Sequence, residues 1–293
     1  MSFTIHLSPD CKSTRSRLSS GLIFSPHPLS SFHPDPPHSP TAEPLTLQVK
    51  KHLCSGYLWD FWLAHHPTYG KVIFIVLYVP EWPCNEPDTW EYIPYEKIID
   101  EVKNEEEIYL EKLRDLQGTV VPNYHGFYRT SDDLHWAIIL QNAGYALGPG
   151  LATLDEEWKG HLYRAYETIH LHGVHHGDID TRHILFCTKP QNHIVLVGFR
   201  RSSKADMTVG KHVRSLMMEM LDVRRRIGYG PGAQVKLHLL PATYYSRVKA
   251  EDREEFMQSI SDQHWSEVST PEEIRASNQE MLNFFPPSHL FAN

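Results

Sequence analysis

The stretch His170–Leu185, HLHGVHHGDIDTRHIL, decides how the rest of the chain is read. In the phosphoryl-transfer pattern His-x-Asp followed by four residues and Asn, the Asp accepts a hydroxyl proton and the Asn holds a magnesium ion. Asp178 stands at the position of that base, with His176 two residues before it, and His183 stands where the pattern has Asn. Downstream, the apolar run His193–Val197 leads into Gly198-Phe199-Arg200, where a metal-binding Asp-Phe-Gly turn would begin with Asp. Both departures strike metal ligands and spare the apolar residues around them. The sequence therefore predicts an intact frame with altered chemistry.

The residues on either side of this loop supply elements for such a frame. A helix is expected from about Leu154 to His172, with Trp158, Leu162, Ala165, Tyr166 and Ile169 on one face and Gly173 as its C-cap. Another follows Asp206, with Val213, Leu216, Met217, Met220 and Leu221 as its apolar face. Toward the N-terminus, from Leu45, alternating segments (LQVKKHL, YLWDFWLA, KVIFIVLYV) are separated by turns at Ser55-Gly56 and Pro67–Gly70, which predicts three antiparallel strands. Ile98, Val102, Tyr109, Leu113 and Leu116 then share one helical face, opposite a Glu-rich face that includes Glu105 and Glu106. Two more strand segments, around Tyr124 and around LHWAIIL, complete an order of three strands, one helix and two strands.

The phrase LQGTVVPNYHGFY (Leu116–Tyr128), preceded by NEEEIYLEKLRD, together with the His170–Leu185 segment, resembles the small protein-kinase-like proteins of filamentous and mushroom-forming fungi. The likeness runs from about Leu45 to Leu221, and the His176-Gly177-Asp178 form is similar to that of aminoglycoside-phosphotransferase-like kinases. What it implies is an α+β, bilobal protein-kinase-like fold: residues 45–141 an antiparallel-sheet N-lobe with one helix, and residues 142–293 a mainly helical C-lobe with an extension after about 230. The resemblance places the phosphate-pairing Lys at Val76, its helix partner at Glu105, or at Glu106 if the register slips, and the phosphate-covering loop at Gly56. Lys71 lies five residues before Val76, about 16 Å along an extended strand, too far to substitute. Leu140–Gly150 becomes the connection between lobes, with Gln141, Asn142 and Ala143 facing an adenine. ATP is the nucleotide so implied, whereas magnesium would lack its usual ligands at His183 and Gly198. The implied function is that of a pseudokinase, a scaffold or regulator with an unidentified protein partner. Two alternatives stay open: an atypical ATP-dependent phosphotransferase with Asp178 as base, and a non-catalytic binding module.

Composition narrows the remaining classes. The formal net charge is −8, and the longest basic cluster is Arg224-Arg225-Arg226, so no nucleic-acid partner is expected. Cys11, Cys54, Cys84 and Cys187 form no C-x-x-C pair, which predicts reduced thiols and a soluble protein of the cytoplasm or nucleus. The apolar run Val72–Val79 is too short to span a bilayer, so no membrane partner is expected. Residues 1–44 are rich in Ser, Pro and His, which predicts a disordered tail, with Ser25-Pro26 and Ser39-Pro40 as candidate phosphorylation sites. Five of the chain's twenty His (His170, His172, His175, His176 and His183) crowd the 170–185 segment with Asp178 and Asp180, without an established ligand spacing, so no metal site is assigned.

Overall fold

The structure, a computed structural model, describes residues 2–9, 11, 18–32, 45–56, 58–79, 93–146, 154–187, 192–228, 244 and 247–253. The chain divides into two compact units, Met1–Ala143 and Gly144–Asn293.

The first unit contains strands β1 (Phe3–Leu7), β2 (Ile23–Pro26), β3 (Leu45–Ser55), β4 (Trp59–His66) and β5 (Gly70–Tyr78), helix α1 (Tyr95–Glu107), and strands β6 (Tyr124–Thr130) and β7 (His135–Gln141). The seven strands close into a barrel in the order β1-β2-β6-β7-β5-β4-β3. Alternation explains β3, where Leu47 and Val49 turn inward while Gln48 and Lys50 face out. The hairpin from β4 to β5 is tightened at Gly70, whose φ of 70° suits glycine, and by His66 Nδ1, which accepts from the Thr68 and Tyr69 amides at 3.2 and 3.3 Å. Inside the barrel, Phe3, Ile5 and Phe24 pack with Trp62, Phe74, Val76, Tyr128 and Ile139. The Phe3 and Phe24 rings stack at 5.4 Å, and both meet Phe74 edge-on at 6.0 and 5.4 Å.

Two expectations are corrected by this barrel. The bilobal, protein-kinase-like fold is overturned: the sheet is closed and seven-stranded, and the described residues contain three α-helices, too few for a mainly helical lobe. With it go the resemblance to the fungal kinase-like family and the expectations of a kinase domain and a phosphotransferase. The disordered tail is also overturned where residues are described, since β1 and β2 lie within residues 1–44. Average composition hid them because their few apolar side chains are placed at inward positions, where Phe3, Ile5 and Phe24 are all buried. Ser25 and Pro26 belong to β2, while Ser39-Pro40 lies outside the described residues.

Helix α1 buries Ile98 and Val102, and a π turn (Ile108–Lys112) and a short 3-10 turn carry the same apolar face on to Tyr109, Leu113 and Leu116. Its acidic face is not uniformly solvated. Glu105 and Glu106 are each 3% exposed.

The second unit contains β8 (Tyr145–Ala146), helix α2 (Glu156–Leu171), β9 (Val174–His175), β10 (Ile184–Cys187), β11 (His193–Leu196), β12 (Ser203–Lys204) and helix α3 (Gly210–Ile227). Strands β11, β10 and β8 form one small sheet, and β12 pairs with β9. Asp155 caps α2 by accepting from the Trp158 amide at 2.9 Å, and Gly173, with φ of 74°, ends it. Leu162, Ala165, Tyr166 and Ile169 are buried, as are Val213, Leu216, Met217, Met220 and Leu221 of α3. Among the described residues, no helix is long and apolar enough to cross a membrane. Of the extension expected after about 230, Tyr244 and residues 247–253 are described and the rest lies outside the described residues.

Candidate functional site

The loop between β9 and β10 is held from beneath by one carboxylate. Glu219 of α3 accepts from the backbone amides of His176 and Gly177 at 2.8 and 2.6 Å and pairs with His170 Nε2 of α2 at 2.7 Å. His170 Nδ1 in turn meets the Tyr244 hydroxyl at 2.7 Å, and His175 Nε2 stands 3.8 Å from the carboxylate. Burial alone would raise the Glu219 carboxyl, but the bond from His170 and the neighbouring His175 and His176 hold it at about 2. It is ionised at neutral pH.

His176 works structurally. Its Nδ1 accepts from the Asp178 amide at 3.3 Å, which leaves Nε2 to donate to the Val197 carbonyl at 3.1 Å. Burial, opposed by Glu219, lowers its imidazole to about 4, so the ring is neutral. The Ser202 hydroxyl donates to the His176 carbonyl at 2.7 Å. Gly177 has φ of 78°, and a Cβ there would lie 2.8 Å from the Arg201 carbonyl oxygen. Further along, Arg226 of α3 donates to the Ile179 carbonyl at 2.8 Å and pairs with Asp222 at 2.9 Å. Asp180 caps the short turn Thr181–His183 by accepting from the Arg182 amide at 3.0 Å.

The loop's outward groups contact one another. The Asp178 side chain is 23% exposed, with Oδ2 3.8 Å from Arg182 Nη2 and 3.6 Å from His183 Nδ1. His183, lowered by burial against the opposing pull of Asp178, lies across Gly198. Gly198 has φ of 86°, and a Cβ on it would come within 2.6 Å of His183 Cδ2. The two positions first read as separate replacements of metal ligands are thus a steric pair: the imidazole occupies the space that any side chain at 198 would need.

Asp178, His176, His183 and Gly198 therefore converge in the second unit. Val76, Glu105, Gly56, Gln141, Asn142 and Ala143 belong to the first unit. Val76 packs in the barrel core opposite Asp60 of β4, and the Gly56 amide closes a turn onto the Trp59 carbonyl at 2.7 Å. Gln141 exchanges bonds with Asn123 through its side chain at 3.0 Å and its amide at 2.9 Å, and the Asn142 amide donates to the Lys71 carbonyl at 3.3 Å. Ala143 is buried, and Leu147–Gly150 of the expected connection lies outside the described residues. Among the described residues, no three His, Cys, Asp or Glu side chains are grouped so as to hold a metal ion.

Glu219, Ser202, Arg226 and Tyr244 were not anticipated, and His170, counted in the His-rich segment, was not read as an anchor. For Glu219 a signal exists: it sits three residues after Leu216 and four before Val223, an acid on an otherwise apolar stripe. No protein-family model matches the chain, and no curated protein matches it either.

Proposed function

We propose that the protein is a non-catalytic scaffold or regulator, and that the 176–183 loop is a fixed surface for recognition by a protein partner. The observation that supports this is the self-complemented state of the loop: the imidazole of His183 covers Gly198, and the Asp178 carboxylate stands between His183 and Arg182. The exposed charges beside it alternate in sign, with Arg182 69% exposed and 3.6 Å from Asp180, and Arg226 paired with Asp222 on the same unit. Such a patch on a backbone pinned by Glu219 discriminates partners by charge complementarity.

The test is incubation of the full chain with labelled ATP, with magnesium or manganese, alongside thermal shifts with ATP. No label transfer and unchanged unfolding are expected, together with partner capture in cells that survives Asp178→Asn but weakens with Arg182→Glu. Magnesium-dependent stabilisation and label transfer abolished by Asp178→Asn would overturn the proposal.

A further inference from the structure

We infer that the Glu167 carboxyl is a proton-operated catch on Tyr244: protonated, it accepts Tyr244 packed over α2, and ionised, it drives Tyr244 out while the rest of the second unit stays folded. This adds a regulatory device to the second unit and holds whether or not the 176–183 loop recognises a partner.

The catch begins with a buried acid that has no donor. Glu167 of α2 is 8% exposed. The donors nearest to it on the helix are committed elsewhere. Arg164, one turn earlier, is exposed and directs its Nε to the Gly160 carbonyl at 3.2 Å. The Thr168 hydroxyl donates to the Arg164 carbonyl at 2.7 Å. His170 has both ring nitrogens engaged, Nδ1 with the Tyr244 hydroxyl and Nε2 with Glu219, each at 2.7 Å. Among the described residues, no hydrogen bond or ion pair reaches the Glu167 carboxyl. A neutral carboxyl tolerates such a place, whereas a carboxylate there is a buried charge without compensation.

Tyr244 is the group this acid confronts. Glu167 and His170 stand three residues apart on α2, so their side chains are neighbours on one face. The Tyr244 ring, fully buried, is bonded to His170 and meets its imidazole edge-on at 5.9 Å, which sets it over that face. Other titratable groups turned toward α2 do not relieve the acid. From α3, Glu219 is taken by His170 and the loop amides, and Arg224 acts on Tyr163 rather than on Glu167. Arg247 acts on the Tyr244 phenol. β9 and β11, which also pack on α2, carry His175, 3.8 Å from Glu219, and His193. Arg164 is the cation that acts on Glu167, and burial outweighs it, raising the carboxyl to about 7. A group that is near 7 when packed and at an ordinary 4.5 when exposed binds its proton more tightly in the closed state. The packing of Tyr244 is therefore strongest below 4.5 and is lost as pH rises through 7. The α2–α3 core of Leu162, Tyr166, Ile169, Leu216 and Met220 uses other positions of both helices. Opening also frees His170 from Tyr244, one link from the carboxylate that pins the 176–183 loop.

The experiment nitrates the full chain with tetranitromethane between pH 6 and 8 and reads each tyrosine by mass spectrometry. Tyr244 is expressed as a ratio to Tyr145, which is 79% exposed and corrects for the reagent's own pH dependence. Tyr166, buried on α2 with its ring 5.6 Å from that of His176, reports unfolding of the whole unit. In wild type the Tyr244 ratio should rise about tenfold from pH 6 to 8, most of it below 7, while Tyr166 stays unmodified. Glu167→Gln, which keeps the size and stays neutral, should hold the ratio low and flat, and Glu167→Met, neutral without an amide to bury, should do the same. A flat wild-type ratio, a slope that persists in both variants, or Tyr166 modified in step with Tyr244 would overturn the inference.

Discussion

Replacing Glu219 tests whether one carboxylate sets the shape of the 170–183 segment. In Glu219→Ala the His176 and Gly177 amides lose their acceptor, and His170 loses its partner at 2.7 Å. Each buried donor left unsatisfied costs about 1–3 kcal/mol, and three are left, the two amides and the His170 Nε2–H. These overlap, so the expected loss is about 3–5 kcal/mol. Linkage supplies a second route to the magnitude. A carboxyl held at about 2 against an ordinary 4.5 contributes about 3 kcal/mol of stability, fully present above 4.5 and lost as pH falls toward 2. Urea unfolding of wild type, Glu219→Ala and Glu219→Gln between pH 7 and 3 measures both. Glu219→Gln should lose the part of the acid sensitivity that arises below 4.5, because no proton binds there, and exchange of the 174–179 amides should rise ahead of global unfolding. A loss under about 1 kcal/mol, or superimposable acid profiles for wild type and Glu219→Gln, would refute the anchoring role.

Three further outcomes are expected. Burial lowers His27, His66, His125 and His176 to about 4, so the unfolded chain takes up protons below 6.5 that the fold refuses; stability should fall as pH drops from 6.5 to 4. Glu167, raised by burial to about 7, opposes this over 4.5 to 7, and one group against four leaves the net slope positive; a flat urea midpoint across that window contradicts it. Gly198→Ala should cost about 1–3 kcal/mol from its positive φ and the 2.6 Å contact with His183, and a second change, His183→Ala, should restore the steric share only. Phe24→Ala should cost about 3–5 kcal/mol by chemical denaturation, whereas a side chain in a disordered tail would cost nothing measurable.

Which of these features could be read from sequence depended on how far apart the interacting residues lie. Strands β3, β4 and β5 were legible because alternation and turn residues act within a few positions, and α1 because Ile98 and Val102 mark its buried face directly. Closure of the barrel was not legible. It rests on Phe3 pairing with Leu45, a parallel contact with no local signature, from a segment whose average composition is that of a polar tail. The same limit applies at the loop. The positive φ at Gly177 is a local demand, but the Arg201 carbonyl that a Cβ there would meet and the Glu219 carboxylate that holds its amide both lie far along the chain, and the reason for glycine at 198 is an imidazole at 183. Read one position at a time, these residues look like lost ligands; placed together, they account for each other's identity.

That mutual dependence separates shape from chemistry within the His-Gly-Asp pattern. His176 is fixed by the Val197 carbonyl on one ring nitrogen and the Asp178 amide on the other, and by the Phe199 ring 4.8 Å away. Gly177 is fixed by the Arg201 carbonyl, and both amides are fixed by Glu219. Neither residue requires catalysis to explain its type, so their presence carries no weight for phosphoryl transfer. The Asp178 side chain differs, since its carboxylate stands 3.6 Å from His183 and 3.8 Å from Arg182 and supports no backbone group by a short bond. An amide of the same size can occupy that position with the loop unchanged. Asp178→Asn is therefore the substitution that removes the proton-accepting carboxylate while sparing the fold: label transfer lost in that variant marks a reacting carboxylate, whereas no label transfer in either protein, with capture kept in Asp178→Asn and weakened in Arg182→Glu, marks a recognition surface that turns on Arg182.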